Sequence, residues 1–136
     1  MHIHIHDQTS LKDIEDVFSA YYPFLQLRFY KKPHKHFETS PEQERLSEDV
    51  IVADLLHTHK DGILEIMPDQ RIDSVEDEFL KRFGLSIQIL KKEKGVWVQT
   101  TGLDSYSLKE VNEFSKNDDD AYVVKDYDEG FEEAEK

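Results

Sequence analysis

The apolar residues of this chain keep two rhythms, and one succession of them occurs twice. Residues 1–6 alternate strictly, with Ile3 and Ile5 set between His2, His4 and His6, the period of a strand with one buried face. Leu11, Ile14, Phe18 and Tyr21 then recur at helical spacing, and Leu25, Leu27 and Phe29 return to alternation. The same succession follows later as Leu64 and Ile66, then Ile72, Val75, Phe79 and Phe83, then Leu85, Ile87 and Ile89. Asp7-Gln8, Glu15-Asp16, Phe18 and Lys31-Lys32 match Asp69-Gln70, Glu76-Asp77, Phe79 and Lys91-Lys92. The chain thus contains an internal repeat, about 1–32 and 62–92, each copy reading strand, helix, strand.

Punctuation supports these elements. Thr9 or Ser10 can cap the first helix and Pro23 lies beyond its end, while Gly84 is a left-handed stop for the second. Residues 91–95 are a turn, so Val96 to Thr100 reads as an antiparallel partner for the strand before it. Residues 31–47, with Pro33 and Pro41, read as a polar loop, and 48–58 as either a short helix opened by Ser47 or a strand through Val50-Ile51-Val52. Ser107-Leu108-Lys109-Glu110 is a capping-box pattern opening a last short helix.

The expected fold class is α+β. Two strand-helix-strand repeats form a two-layer, ferredoxin-like sandwich with an extra antiparallel strand and a short C-terminal helix. Residues 1–116 make one domain, and 117–136 form a flexible acidic tail carrying nine acids and two bases. In that fold the first strand is central, and Ile3, Ile5, Leu64 and Ile66 face the helices. The opposite face mixes His2, His4, His6, Gln26, Arg28, Ile63, Glu65 and Gln88 with Tyr30, Met67, Leu90 and Trp97. So many large apolar groups need a cover: the 48–58 segment, the final helix or another chain.

Charge narrows the partners. With 30 acids against 17 bases the net charge is -13, which argues against nucleic acid or an anionic membrane and weakly favours a basic protein. There is no Cys, hence no disulfide or thiolate chemistry, as suits a reducing cytosol. No run resembles an export signal or a membrane span, so a cytoplasmic location is expected.

Candidate chemistry lies in three histidine groups. His2, His4 and His6 share one strand face, with alternate residues roughly 6–7 Å apart. Two imidazoles at that spacing can share a Zn, Ni or Cu ion, and Glu65 can join from a neighbouring strand; the alternative is a polar, solvated strand face. His34 and His36 sit among Lys31, Lys32 and Lys35 in a loop, a local basic patch. His57 and His59 fall at a helix end before Gly62, where a protonated imidazole suits the helix dipole. Glu15-Asp16 and Glu76-Asp77 read as solvated helix faces. No nucleophile elbow or phosphate loop is present, and no catalytic set is assigned.

The stretches Asp77 to Gln88 and Gly95 to Thr101, with Asp104 to Glu110, Asn112 and the Lys32-Pro33-His34-Lys35 loop ahead of Ser40-Pro41, resemble a family of small uncharacterised bacterial proteins. The resemblance covers about residues 1–113 and implies a small cytoplasmic protein without a known activity, cofactor or catalytic residue. Taken together, the expected function is a non-enzymatic cytoplasmic protein-interaction module, binding another protein or a second copy of itself through Tyr30, Met67, Leu90 and Trp97. The alternatives are transition-metal binding through His2, His4, His6 and Glu65, and a small enzyme of unknown class.

Overall fold

A computed structural model describes residues 1–33, 39–56 and 58–118. His34 and His36 of the basic loop, His57 and the tail from 119 onward lie outside them. The described elements are β1 (His2–His6), α1 (Leu11–Tyr21), β2 (Leu25–Tyr30), a 3-10 turn (Glu42–Glu44), α2 (Val52–Leu55), β3 (Asp61–Glu65), α3 (Ile72–Phe83), β4 (Ser86–Glu93) and β5 (Val96–Gln99). Residues 108–118 are helical and are called α4. The architecture is α+β.

Local signals set the ends of these elements. The Ser10 hydroxyl accepts the Asp13 N–H at 3.1 Å and caps α1. Gly84 closes α3 at φ 68°, a conformation that costs a side-chain-bearing residue roughly 1–2 kcal/mol. Ser107 and Glu110 exchange side chain-to-backbone bonds of 3.1 and 3.0 Å, the reciprocal cap at the start of α4.

The five described strands form two antiparallel sheets, β1-β3 and β2-β4-β5. First strand therefore joins first strand, and second joins second. Ile3 faces its repeat equivalent Leu64 across one sheet, and Arg28 faces Gln88 across the other. The two copies thus sit about an approximate twofold axis. β1 has one strand neighbour, so it is not the centre of a single four-stranded sheet. A period-2 pattern shows which face of a strand is buried, not which neighbour it takes.

The duplication also runs further than the matching residues. The N–H groups of Leu11 and Lys12 donate to Val50 and Glu48, as those of Ile72 and Asp73 donate to Tyr106 and Asp104. Those of Val52 and Ala53 donate to Thr9 and Asp7, as those of Leu108 and Lys109 donate to Gln70 and Pro68. The α2 and α4 entries are therefore equivalent, although their sequences share little.

Between the layers lie Ile5, Leu11, Ile14, Phe18, Leu25, Leu27, Phe29, Leu64, Ile72, Phe79 and Ile89, all fully buried. Phe29 meets Phe79 edge to face at a centroid distance of 6.1 Å, a geometry aromatic rings favour. The stripe of α1 departs from expectation: Tyr21 is 59% exposed, and Glu15 is buried in its place.

Candidate functional site

The β1-β3 ribbon carries the three histidines of β1 together with Asp61 and Glu65. Strand alternation buries Ile3, Ile5 and Leu64 and turns His2, His4, Asp61, Ile63 and Glu65 outward, with His6 at the rim. Register sets Glu65 opposite His2 and Asp61 opposite His6. The His2 imidazole lies 3.1 Å from Glu65, and His4 Nε2 lies 2.6 Å from Asp61. The His4 and His6 rings meet edge to face at 5.0 Å. Next to them His59 pairs with Asp7, whose other carboxylate oxygen accepts the Lys60 N–H. The hydrogen bond from His4 holds the Asp61 carboxyl below its ordinary value, and the charges of His4, His6 and His59 act in the same direction.

These contacts are pairwise. Among the described residues, no three His, Asp or Glu side chains are arranged about a common point as metal ligands. His2 and His6 stand four residues apart on one strand, roughly 13 Å. The set His2, His4, His6 and Glu65 therefore divides into two ends of the ribbon, one at His2 and Glu65, the other at His6 and Asp61.

The ribbon also has two edges, and the repeat makes each a control for the other. Met1 and Ile66 exchange both backbone bonds, at 2.8 and 3.0 Å. By antiparallel alternation Ile3/Leu64 and Ile5/Gly62 are the other bonded pairs, so residues 2, 4 and 6 and residues 61, 63 and 65 turn their N–H and C=O groups to the outer edges. On the β3 edge the Arg82 guanidinium donates to the Ile63 carbonyl at 2.9 Å, and the α3 flank beside it is Glu78, Lys81 and Arg82. The equivalent flank of α1 is Val17, Ala20 and Tyr21. On the β1 edge the His6 backbone is occupied by Thr9. Among the described residues nothing bonds the outward N–H and C=O of His2 and His4. Arg82 thus occupies the Ile63 carbonyl of the β3 edge beside a charged flank, whereas the α1 residues equivalent by the repeat are apolar.

The remaining partner-binding candidates divide. Tyr30 and Leu90 are buried, each 2% exposed, so they are not available on an open face. Beside Tyr30 the stretch around Ser40, part of the expected polar loop, is held on the sheet. The Gln99 side-chain amide exchanges two 3.0 Å bonds with the Ser40 backbone, Gln88 donates to the Ser40 hydroxyl at 3.1 Å, and Gln99 also reaches the Tyr30 hydroxyl. Met67 is 46% exposed and Trp97 is half-buried. Beside α3 a cavity of about 40 Å³ has Asp73, Glu76, Asp77 and Asp104 in its lining, and an open groove of about 370 Å³ runs along Arg71, Asp73, Ser74, Asp77, Glu78 and Lys81.

Glu15 departs from the solvated helix face expected for Glu15-Asp16. It lies inside α1, 7% exposed, and burial raises its carboxyl to about 7. Arg45 and Arg28 pull the value down, while Glu48 and Asp16 push it up. The signal was available: Leu11, Ile14, Glu15 and Phe18 stand at i, i+3, i+4 and i+7, the full core-facing stripe of a helix.

No protein-family model, no curated protein and no solved structure matches the chain. Among the described residues no helix is long and apolar enough to cross a membrane.

Proposed function

We propose that the protein is a non-enzymatic, cytoplasmic interaction module that adds an extended segment of a partner protein to the open edge of β1. The difference between the two ribbon edges carries this reading. Edge strands with unpaired backbone groups are templates for another strand, and proteins usually block them. Here Arg82 occupies the central outward carbonyl of the β3 edge, that of Ile63, and the β1 edge offers the four backbone groups of His2 and His4, with Val17, Ala20 and Tyr21 as the α1 equivalents of the charged α3 flank. A docked strand gains backbone bonds worth about 0.5–1.5 kcal/mol each and places alternate apolar side chains on the α1 flank. The net charge of -13 favours Lys or Arg at its solvent-facing positions. The cysteine-free sequence suits a reducing compartment.

The decisive variant is Tyr21→Arg, which gives α1 the plug that α3 already has. Peptides selected from a display library on the intact protein are titrated against wild type and variant, with chemical shifts mapping where they bind. Binding that perturbs His2, His4, Val17 and Tyr21, and that weakens about tenfold or more in Tyr21→Arg, supports the reading. Selected peptides that map elsewhere, or that bind the variant equally well, refute it.

A further inference from the structure

We propose that residues 42–50 form a pH-sensitive strap, which closes the outer edge of β2 while the Glu15 carboxyl keeps its proton and loosens as that proton leaves. The device acts on β2 and does not depend on docking at β1.

The strap runs from the outer edge of β2 to the first turn of α1. The Lys31 N–H donates to the Glu44 carbonyl at 2.9 Å and the Leu46 N–H to the Phe29 carbonyl at 2.8 Å, which sets Arg45 opposite Tyr30 as a single added bridge. The other edge of β2 is held by β4. Further along the strap, the N–H groups of Lys12 and Leu11 donate to the carbonyls of Glu48 and Val50 at 3.0 and 2.9 Å. Strap, β2 and α1 thus enclose a crevice. Lys12, bonded to the strap, stands one turn before Glu15. Ser19, whose hydroxyl donates to the Leu25 carbonyl of β2 at 3.4 Å, stands one turn after it. Residues three or four apart share a helix face, so Glu15 forms the α1 wall of the same crevice.

Charge is poorly served there. Glu15 is 7% exposed, and among the described residues its carboxyl makes no hydrogen bond and no ion pair. Arg45 of the strap and Arg28 of β2 reach instead towards Glu42, at 3.7 and 3.9 Å, and Arg28 also donates to Gln26. Glu48 of the strap and Asp16 of α1 add like charge, against the pull of the two arginines. A buried carboxylate without partners is costly, and the crevice relieves that cost at its weakest wall. None of residues 42–50 is buried, and Leu46 and Val50 reach the core only in part. The other two walls carry the fully buried Ile14, Phe18, Leu27 and Phe29. Segments with few buried contacts open at the lowest free energy. Opening brings water to Glu15 and bares the Phe29 carbonyl and the Lys31 N–H, so the proton controls a strand edge. Burial raises the closed carboxyl to about 7 against an ordinary 4.5. Opening should therefore grow from pH 4.5 to 7 and be level above.

Amide hydrogen exchange of the full chain, followed by NMR from pH 5 to 8 in wild type and Glu15→Gln, tests the strap. Protection factors, which remove the intrinsic pH dependence of exchange, are compared at Lys31, Leu46 and Lys12. The reference is Arg28, whose N–H lies on the β4 side of β2 by antiparallel alternation. In the wild type, protection at the three strap amides should fall about tenfold between pH 5 and 8, while Arg28 stays at least about tenfold better protected than they are at pH 8. In Glu15→Gln the strap amides should hold within about twofold. Level protection in the wild type overturns the proposal, as does an equal fall in the Gln variant. Strap amides protected as well as Arg28 at pH 8 also overturn it, because the whole fold would then be opening.

Discussion

Replacing Glu15 by Gln should stabilise the protein, and only at high pH. The Glu15 carboxyl lies in the helix–sheet interface, where burial raises it to about 7 against an ordinary 4.5. The folded chain therefore holds a proton there more tightly than the unfolded chain does. Between pH 4.5 and 7 the folded state binds more protons, so this residue's contribution to stability falls as pH rises, and it is flat above that window. The whole difference is worth at most about 3 kcal/mol. Arg45, Arg28 and residual water contact already moderate the charge, so a loss of about 1–2 kcal/mol is the realistic expectation. Gln keeps the shape and cannot ionise. Urea unfolding of both proteins from pH 4.5 to 8 isolates the effect, because the other acids and the histidines titrate alike in both. The two curves should agree near pH 4.5, diverge through pH 7 and then run parallel with the Gln variant ahead. A gap that is the same at pH 5 and pH 8 would mean that Glu15 does not ionise at a cost inside the fold.

Three further outcomes follow from the packing. Phe79→Ala removes a fully buried ring that meets Phe29 and should lower unfolding free energy by about 3–5 kcal/mol in urea titrations; a loss below about 1 kcal/mol would contradict its central place. Gly84→Ala forces a side chain into a φ of 68° with its Cβ 3.3 Å from Leu56 and should cost about 1–2 kcal/mol, whereas an unchanged thermal midpoint would refute the left-handed cap. Gln99→Leu breaks the two bonds to the Ser40 backbone and should speed amide exchange at Ser40, for a cost of about 1–3 kcal/mol; unaltered exchange there would show that Gln99 does not hold the segment beside Tyr30.

Much of this fold was legible because period-2 and period-3.6 apolar patterns report burial directly. Every apolar residue of the α3 stripe, Ile72, Val75, Phe79 and Phe83, is buried as its spacing indicated. The α1 stripe failed at one point, since an apolar Tyr21 looked like a core residue and a charged Glu15 did not. Burial in a helix follows angle, and Glu15 has the angle. The β4–β5 hairpin was legible from its turn, but the β1–β3 and β2–β4 pairings were not, because alternation is blind to neighbours and those strands lie about 60 residues apart. The segment held beside Tyr30 was hidden for a related reason: Ser40 is fixed by the Gln99 side chain rather than by a periodic element. The open edge was legible in principle. Setting Val17, Ala20 and Tyr21 against Glu78, Lys81 and Arg82 needs only the repeat alignment, but its meaning depends on knowing which flank faces an edge.

That comparison yields the most demanding prediction. If the flank decides whether an edge accepts a strand, then the flank should be transferable. Glu78→Val, Lys81→Ala and Arg82→Tyr together give α3 the α1 flank and remove the guanidinium from the Ile63 carbonyl. All three positions are at least partly exposed, and the ion pair lost between Arg82 and Glu78, 3.9 Å apart, is of the surface kind worth about 0–1 kcal/mol. The fold should therefore survive. A peptide selected on the β1 edge should then bind twice per chain, once beside α1 and once beside α3, because β1 and β3 present equivalent outward backbone groups. Adding Tyr21→Arg to the same chain should return the stoichiometry to one and leave the peptide on β3. A triple variant that is folded, opens the Ile63 carbonyl and still binds a single peptide would separate edge exposure from recognition. Specificity would then have to reside in the His2 and His4 side chains, which β3 lacks.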